Sequence, residues 1–308
     1  MEFVEQKRKE ILTGGAATAN AYTSRLRTLN GGVTPTTDYY FLEDINHIMS
    51  FLEKNYKPNT QRNFIIAIVS TLKKISGKHQ LYEEYSKIMD QMNSDLRINN
   101  TRSQVQQENW ISQDEVKEVY TNLYRQVHPI LFSKSSPSIS DWEQIIHLVT
   151  LALYTQQPPR RLNDYLFMVI VRKLPKQMNM STNYFDLTSK TFYFNNFKTS
   201  GTYSTQSVKC SDELFALLTQ YIKKHPLKLL AGSQIPLLCT MDGNPLPRAN
   251  VITRILNKVF GKQISVSMLR SIYLTHAFGA DQIKMKSVAH DLGTSPNMIA
   301  NQYVKTDV

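Results

Sequence analysis

Apolar residues recur at helical spacing over most of this chain. The clearest stripe is Phe64, Ile65, Ile68, Val69, Leu72 and Ile75, which predicts a helix buried on one face. Asn59-Thr60 reads as its cap. The same spacing predicts a helix from Ala16 through Tyr22, Leu26 and Leu29, stopped by Asn30-Gly31-Gly32. A third places Ile45, Ile48, Met49 and Leu52 inward, and a fourth covers about 81–92. Together they predict a compact helical unit over 16–98, preceded by a flexible N-terminus, 1–15, that ends in Thr13-Gly14-Gly15.

The periodicity then stops. Residues 99–109 are polar, with Asn99-Asn100-Thr101-Arg102-Ser103-Gln104, and read as a linker. Order resumes at Trp110-Ile111, and Ser112 is placed to cap a helix over 115–127. Residues 142–154 form a strongly apolar helical segment. Residues 166–171 are β-branched and suit either a buried helix or a strand. Alternating segments at 183–187, 191–194 and 206–209 predict strands joined by short turns. Helices are expected over 211–224, 247–260, 267–279, 284–292 and 296–303. The predicted class is α+β: mainly α with a small antiparallel β-sheet, in a second domain over 110–308.

Composition narrows the function classes. No apolar run approaches the ~20 residues of a membrane-spanning helix. Met1-Glu2-Phe3-Val4-Glu5-Gln6-Lys7 is charged and lacks the apolar core of a secretion signal, so an intracellular protein without a membrane partner is expected. Cys210 and Cys239 are the two cysteines, with no CxxC or Cys/His cluster. That argues for two buried thiols and against a zinc site or disulfide framework; no metal or cofactor is expected. The net charge of +11 favours polyanions. Charge alone does not separate a nucleic-acid binder from a merely soluble basic protein. Lys57, Arg62, Lys73 and Lys74 surround the stripe at 64–75, either as a solvated face or as a face laid on DNA phosphates.

The remaining signals concern phosphodiester chemistry. Cleavage without metal requires groups that neutralise two phosphate oxygens, a nucleophile, and an acid for the departing alkoxide. Arg suits the first role because its planar fork bonds two oxygens and stays charged. Tyr suits the second, since phenolate leaves more readily than alkoxide and the covalent link can be reversed. Lys can serve the third. Arg160-Arg161 follow Pro158-Pro159, with Asp164 near enough along the chain to hold one guanidinium. Lys198 sits at or just past a hairpin tip. Arg270 lies near a helix start whose inward face is Leu269, Ile272, Tyr273 and His276. Asp291-Leu292-Gly293-Thr294-Ser295-Pro296 ends one helix and begins another that carries Tyr303.

In these residues the chain resembles the tyrosine recombinase (phage integrase) family over nearly its whole length. PPRRLNDY at 158–165 and FNNFKTSGTYSTQSV at 194–208 look closest to integrases of large DNA viruses, virophages and related mobile elements. The resemblance implies a helical core-binding domain followed by a catalytic domain. It implies Arg161 as first catalytic Arg with its acid at Asp164 (Arg160 as the fallback), Lys198 as the hairpin Lys, Arg270 as second Arg and Tyr303 as nucleophile. Arg160 would otherwise join the DNA-binding set. Two positions depart from the family pattern: Ser267 stands where His or Lys is usual, and Thr294 where His or Trp is usual. Thr294 can still donate one hydrogen bond to phosphate, and His290 is a candidate to compensate.

What the resemblance implies is a site-specific DNA recombinase acting through a 3′-phosphotyrosyl intermediate. Its partner would be double-stranded DNA, held by a homotetramer on two duplexes that exchanges C-terminal segments, with no small-molecule substrate. The expected location is at DNA: a host nucleus, a viral factory or a nucleoid. The rival expectations are type IB topoisomerase-like relaxation and a catalytically weakened DNA-binding accessory protein.

Overall fold

The computed structural model describes residues 16–35, 39–98 and 102–304. The expected flexible N-terminus, 1–15, and the start of the expected linker, 99–101, lie outside them. The chain divides into two compact units, 1–102 and 103–308.

The first unit is helical: α1 (Ala16–Leu29), α2 (Ile45–Asn55), α3 (Pro58–Leu72) and α4 (His79–Ile98), with a 3-10 turn at Tyr40–Leu42. α1 ends at Gly31 and Gly32, with φ of 61° and 88°, where side chains are disfavoured. Asp44 caps α2 by accepting from the His47 N–H at 2.9 Å. α3 begins earlier than the expected Asn59-Thr60 cap. Pro58 takes its first position, where a missing N–H is harmless, and Lys57 is the N-cap. The periodic stripe is the core: Phe64, Ile65, Ile68, Val69 and Leu72 pack with Leu26, Leu42, Ile48, Leu52 and Tyr85. The Tyr85 hydroxyl donates to the Leu42 carbonyl at 2.9 Å, which satisfies the buried phenol.

The second unit begins inside the expected linker. Ser103 and Gln106 form a capping box for the short α5 (Gln104–Asn109). Matching boxes open α6 (Gln113–Phe132), with Ser112 and Glu115, and α7 (Ile139–Thr155), with Ser138 and Asp141. There follow α8 (Leu162–Leu166), β1 (Val169–Val171), β2 (Tyr184–Asp186), β3 (Thr191–Phe194), β4 (Gln206–Lys209), α9 (Asp212–Lys224), β5 (Ile235–Pro236), α10 (Ala249–Phe260), α11 (Val266–Asp291), α12 (Pro296–Met298) and a π-helical turn, Ile299–Tyr303. The ambiguous 166–171 segment divides between the end of α8 and β1.

α7 is buried nearly all round, from Trp142 through Tyr154, and is the centre of this unit. α6, α9 and α10 pack on it. The sheet order is β4-β3-β2-β1-β5. It is mixed rather than wholly antiparallel: β1 and β2 run parallel, with Ile170 opposite Phe185. The other pairings are antiparallel. Phe185 stacks on Phe192 at 4.4 Å, fixing the β2–β3 register. Cys210 and Cys239 are free and buried, as expected.

The expected helices 267–279 and 284–292 are a single helix, α11. Gly279 lies in its interior with no positive φ. An interior glycine costs about 1 kcal/mol relative to Ala but does not by itself end a helix, and no proline stands nearby to do so.

Candidate active site

A cleft of about 800 Å³ in the second unit is lined by Arg161, Asp164, Asn183, Lys198, Ser267 and Arg270, among others. Arg161 is the N-cap residue of α8. Lys198 stands in the turn after β3. Ser267 and Arg270 belong to the first turns of α11, whose Ser265 cap accepts from the Met268 N–H at 3.2 Å. The positive end of a helix macrodipole therefore faces the same space. Arg161 and Arg270 are half-buried; Lys198 and Ser267 are exposed.

Among the described residues, Arg161, Lys198 and Arg270 form no ion pair and donate no side-chain hydrogen bond. Three cations from separate segments thus share one cleft without internal neutralisation. Such a site suits a multivalent oxyanion, and the two guanidinium forks suit one with several oxygens.

Arg160 and Arg161 have separate fates. The salt bridge expected at Asp164 is made, and Arg160 is the residue that makes it, with Nε 2.8 Å from Oδ2. An i,i+4 offset brings Arg160 onto the buried carboxylate; Arg161, starting the helix, turns to the cleft. The Arg160 guanidinium also lies 3.8 Å above the Phe194 ring and donates to Gln206 Oε1 at 3.0 Å. Its charge is compensated inside the protein by Asp164, while 19% of the side chain stays exposed. Asp164 is 2% exposed, and its Oδ1 has no hydrogen-bond partner.

Local packing fixes this corner. The Tyr154 hydroxyl donates to the Leu162 carbonyl at 3.2 Å, and Gln157 donates to the buried Tyr165 hydroxyl. Burial pushes the Tyr165 phenol upward, so it stays protonated. Asn183, which sequence reasoning missed, is 5% exposed and bonds to both the α8 turn and the chain just before Lys198. No local signal marked it, because its partners lie 12 to 19 positions away along the chain.

Thr294 and Tyr303 do not line the cleft. From Arg270 to Asp291, α11 carries the chain about 30 Å at ~1.5 Å per residue. Thr294 follows that far end, where its N–H donates to the Ala289 carbonyl at 2.9 Å. Tyr303 ends the π-helical turn and is 65% exposed. His290 is also exposed and lies beside Asp291, 3.4 Å away, outside the cleft. His276, expected on the inward face of its helix, is exposed.

In the first unit, Lys57, Lys73 and Lys74 are exposed at the two ends of α3. Arg62 is half-buried and donates from Nε to Asn93 on α4, so part of its role is bracing the two helices. Among the described residues, no group of three or more His, Cys, Asp and Glu side chains could hold a metal ion, and no helix is long and apolar enough to cross a membrane. No family model, curated protein or solved structure matches the chain.

Proposed function

We propose that this chain is a DNA strand-transfer enzyme of the site-specific recombinase type, cutting and rejoining a phosphodiester through a tyrosyl intermediate. One observation carries the reading: Arg161, Lys198 and Arg270, far apart in sequence, converge unpaired on one cleft. The motif resemblance supports the same assignment.

In the proposed reaction Arg161 and Arg270 hold the non-bridging oxygens and stabilise the charge that grows as a fifth oxygen approaches phosphorus. The Tyr303 oxygen bonds to phosphorus and loses its proton to solvent. The bond to the 5′ oxygen breaks, and Lys198 protonates that oxygen. A 5′-hydroxyl from another strand reverses the step. The bond energy is retained, so no nucleotide cofactor enters the scheme. Double-stranded DNA is the substrate, on a homotetramer spanning two duplexes.

The position of Tyr303 outside the cleft favours a second reading, a phosphodiester-binding accessory protein without a working nucleophile. Covalent capture separates the two. The full chain is incubated in EDTA with a pool of random-sequence nicked duplexes, and adducts are trapped in detergent. The enzyme reading expects adducts from the wild type and none from Tyr303→Phe. Binding without adducts selects the accessory protein. Mixing Tyr303→Phe with Arg270→Ala then locates the nucleophile. Adducts restored in the mixture place the phenol on a second copy; none restored place it on the same chain after a bend in α11.

A further inference from the structure

A single buried side chain links the two catalytic segments that the proposed reaction brings together. Asn183 precedes β2, and all four of its hydrogen-bonding positions are used. Its Nδ2 donates to the Asp164 carbonyl at 2.9 Å and to the Asn196 carbonyl at 2.9 Å. Its Oδ1 accepts from the Asn195 N–H at 2.9 Å and the Asn196 N–H at 2.8 Å. Asp164 lies in the α8 turn begun by Arg161, and its N–H donates to the Arg161 carbonyl at 3.0 Å. Asn196 lies two residues before Lys198.

The bend at Asn195 is tied down from its other side as well. Asn195 is 4% exposed, donates to the Thr182 carbonyl at 2.9 Å, and accepts from the Thr205 hydroxyl at 2.8 Å. Phe197, 6% exposed, anchors the chain immediately before Lys198. Lys198 itself has no partner among the described residues, so the backbone leading to it is what sets its place. We infer that Asn183 is a positioning residue, which fixes the Lys198 ammonium relative to Arg161 so that it can protonate the leaving 5′ oxygen. This rests on the strand-transfer reading and adds to it a residue that never touches DNA.

The chemistry supplies a selective readout. A duplex recovered as an adduct from the random pool is synthesised with either oxygen or sulfur at the bridging 5′ position. A departing thiolate needs no proton near neutral pH, because a thiol is far more acidic than an alcohol. Lys198→Ala should lose about 10²-fold or more in cleavage of the oxygen substrate and recover with sulfur. Asn183→Asp keeps the size of the side chain but loses both donors, leaving a carboxylate against two carbonyls. It should show the same pattern: a loss of at least about tenfold with oxygen and near wild-type cleavage with sulfur.

A general structural defect would depress both substrates alike. Thr205→Val, which removes only the outer hydrogen bond to Asn195, gives a milder version should Asn183→Asp fail to fold. It should lose less with oxygen and be rescued equally by sulfur. With an active wild type, an equal loss on both substrates, no loss with either folded variant, or a Lys198→Ala protein that sulfur does not rescue overturns this inference alone. A wild type inert on the whole pool overturns the strand-transfer reading and takes this inference with it.

Discussion

Arg160 and Arg161 are adjacent, chemically identical and structurally opposite, so substituting each by Met separates an internal strut from a cleft-lining group. Arg160 is the only cation paired with Asp164 among the described residues, and that carboxylate is 2% exposed with Oδ1 already lacking a partner. Removing the guanidinium leaves a buried charge uncompensated, which costs about 3–5 kcal/mol. Loss of the contact with Phe194 lies in the same direction. For a unit of this size each kcal/mol lowers the melting midpoint by about 2–4 °C, so Arg160→Met should fall by about 10 °C. Arg161→Met breaks no pair and relieves repulsion from nearby cations, so it should stay within about 0.5 kcal/mol of the wild type. The assay is specific without truncating the chain: Trp110 and Trp142, the two tryptophans, both lie in the second unit, so their fluorescence follows its unfolding. Arg160→Met combined with Asp164→Leu should recover much of the loss, because replacing a buried pair by apolar groups is often near neutral. Equal destabilisation by both single variants, or a cost under about 1 kcal/mol for Arg160→Met, would refute the division of roles.

The same unit should weaken in mild acid. Burial lowers the His147 and His225 pKa values below that of a free imidazole, so the unfolded chain binds their protons first. Stability should therefore fall as pH drops from about 7.5 to 5.5, read as the tryptophan urea midpoint; a flat or rising midpoint contradicts it, and His225→Gln should flatten the slope. Arg270→Ala should cut adduct formation by about 10²–10³-fold. Its DNA affinity should change far less, and comparable losses in both would make Arg270 a binding residue. Arg161→Ala should reduce the salt slope of DNA affinity by about one unit for one lost phosphate contact. An unchanged slope would remove Arg161 from the phosphate site.

The parts legible in the sequence were those governed by local rules. The cap at Ser112 and the stripe at 64–75 depend on neighbours a few residues apart, and each marked a helix that the structure contains. The equally local capping box at Ser138 was missed, so the helix expected from Trp142 starts earlier, at Ile139. Long-range pairing was harder to read. Nothing local distinguishes a parallel β1–β2 pair from an antiparallel one, and β5 is only Ile235–Pro236, too short to alternate. The site followed the same division. Arg161, Lys198 and Arg270 carry charge in recognisable surroundings, whereas Asn183 matters through four bonds to backbone atoms as many as 19 positions away. The exchange of roles between Arg160 and Arg161 depends on where α8 begins, and a boundary shifted by one residue rotates side chains by about 100°.

The expected break near Gly279 has the largest consequence for mechanism. With α11 continuous, its first turns are anchored by Val266, Met268, Leu269 and Ile272 in the core, while Leu274, Phe278, Ile283 and Val288 remain exposed. Ala289 and Ile299 bury themselves near the far end, so the terminal turns follow α11 and not the cleft wall. Covering each large exposed side chain would contribute about 1.5–3 kcal/mol, enough in sum to offset several lost helical hydrogen bonds at about 1 kcal/mol each. On the proposed function, bending at Gly279 or docking against a second copy would cover those side chains and shift Tyr303 relative to a cleft. On that same proposal, the arm's apolar surface and the distance of the Tyr303 phenol are two aspects of one geometry: whatever covers Leu274 and Phe278 would also determine which cleft Tyr303 reaches.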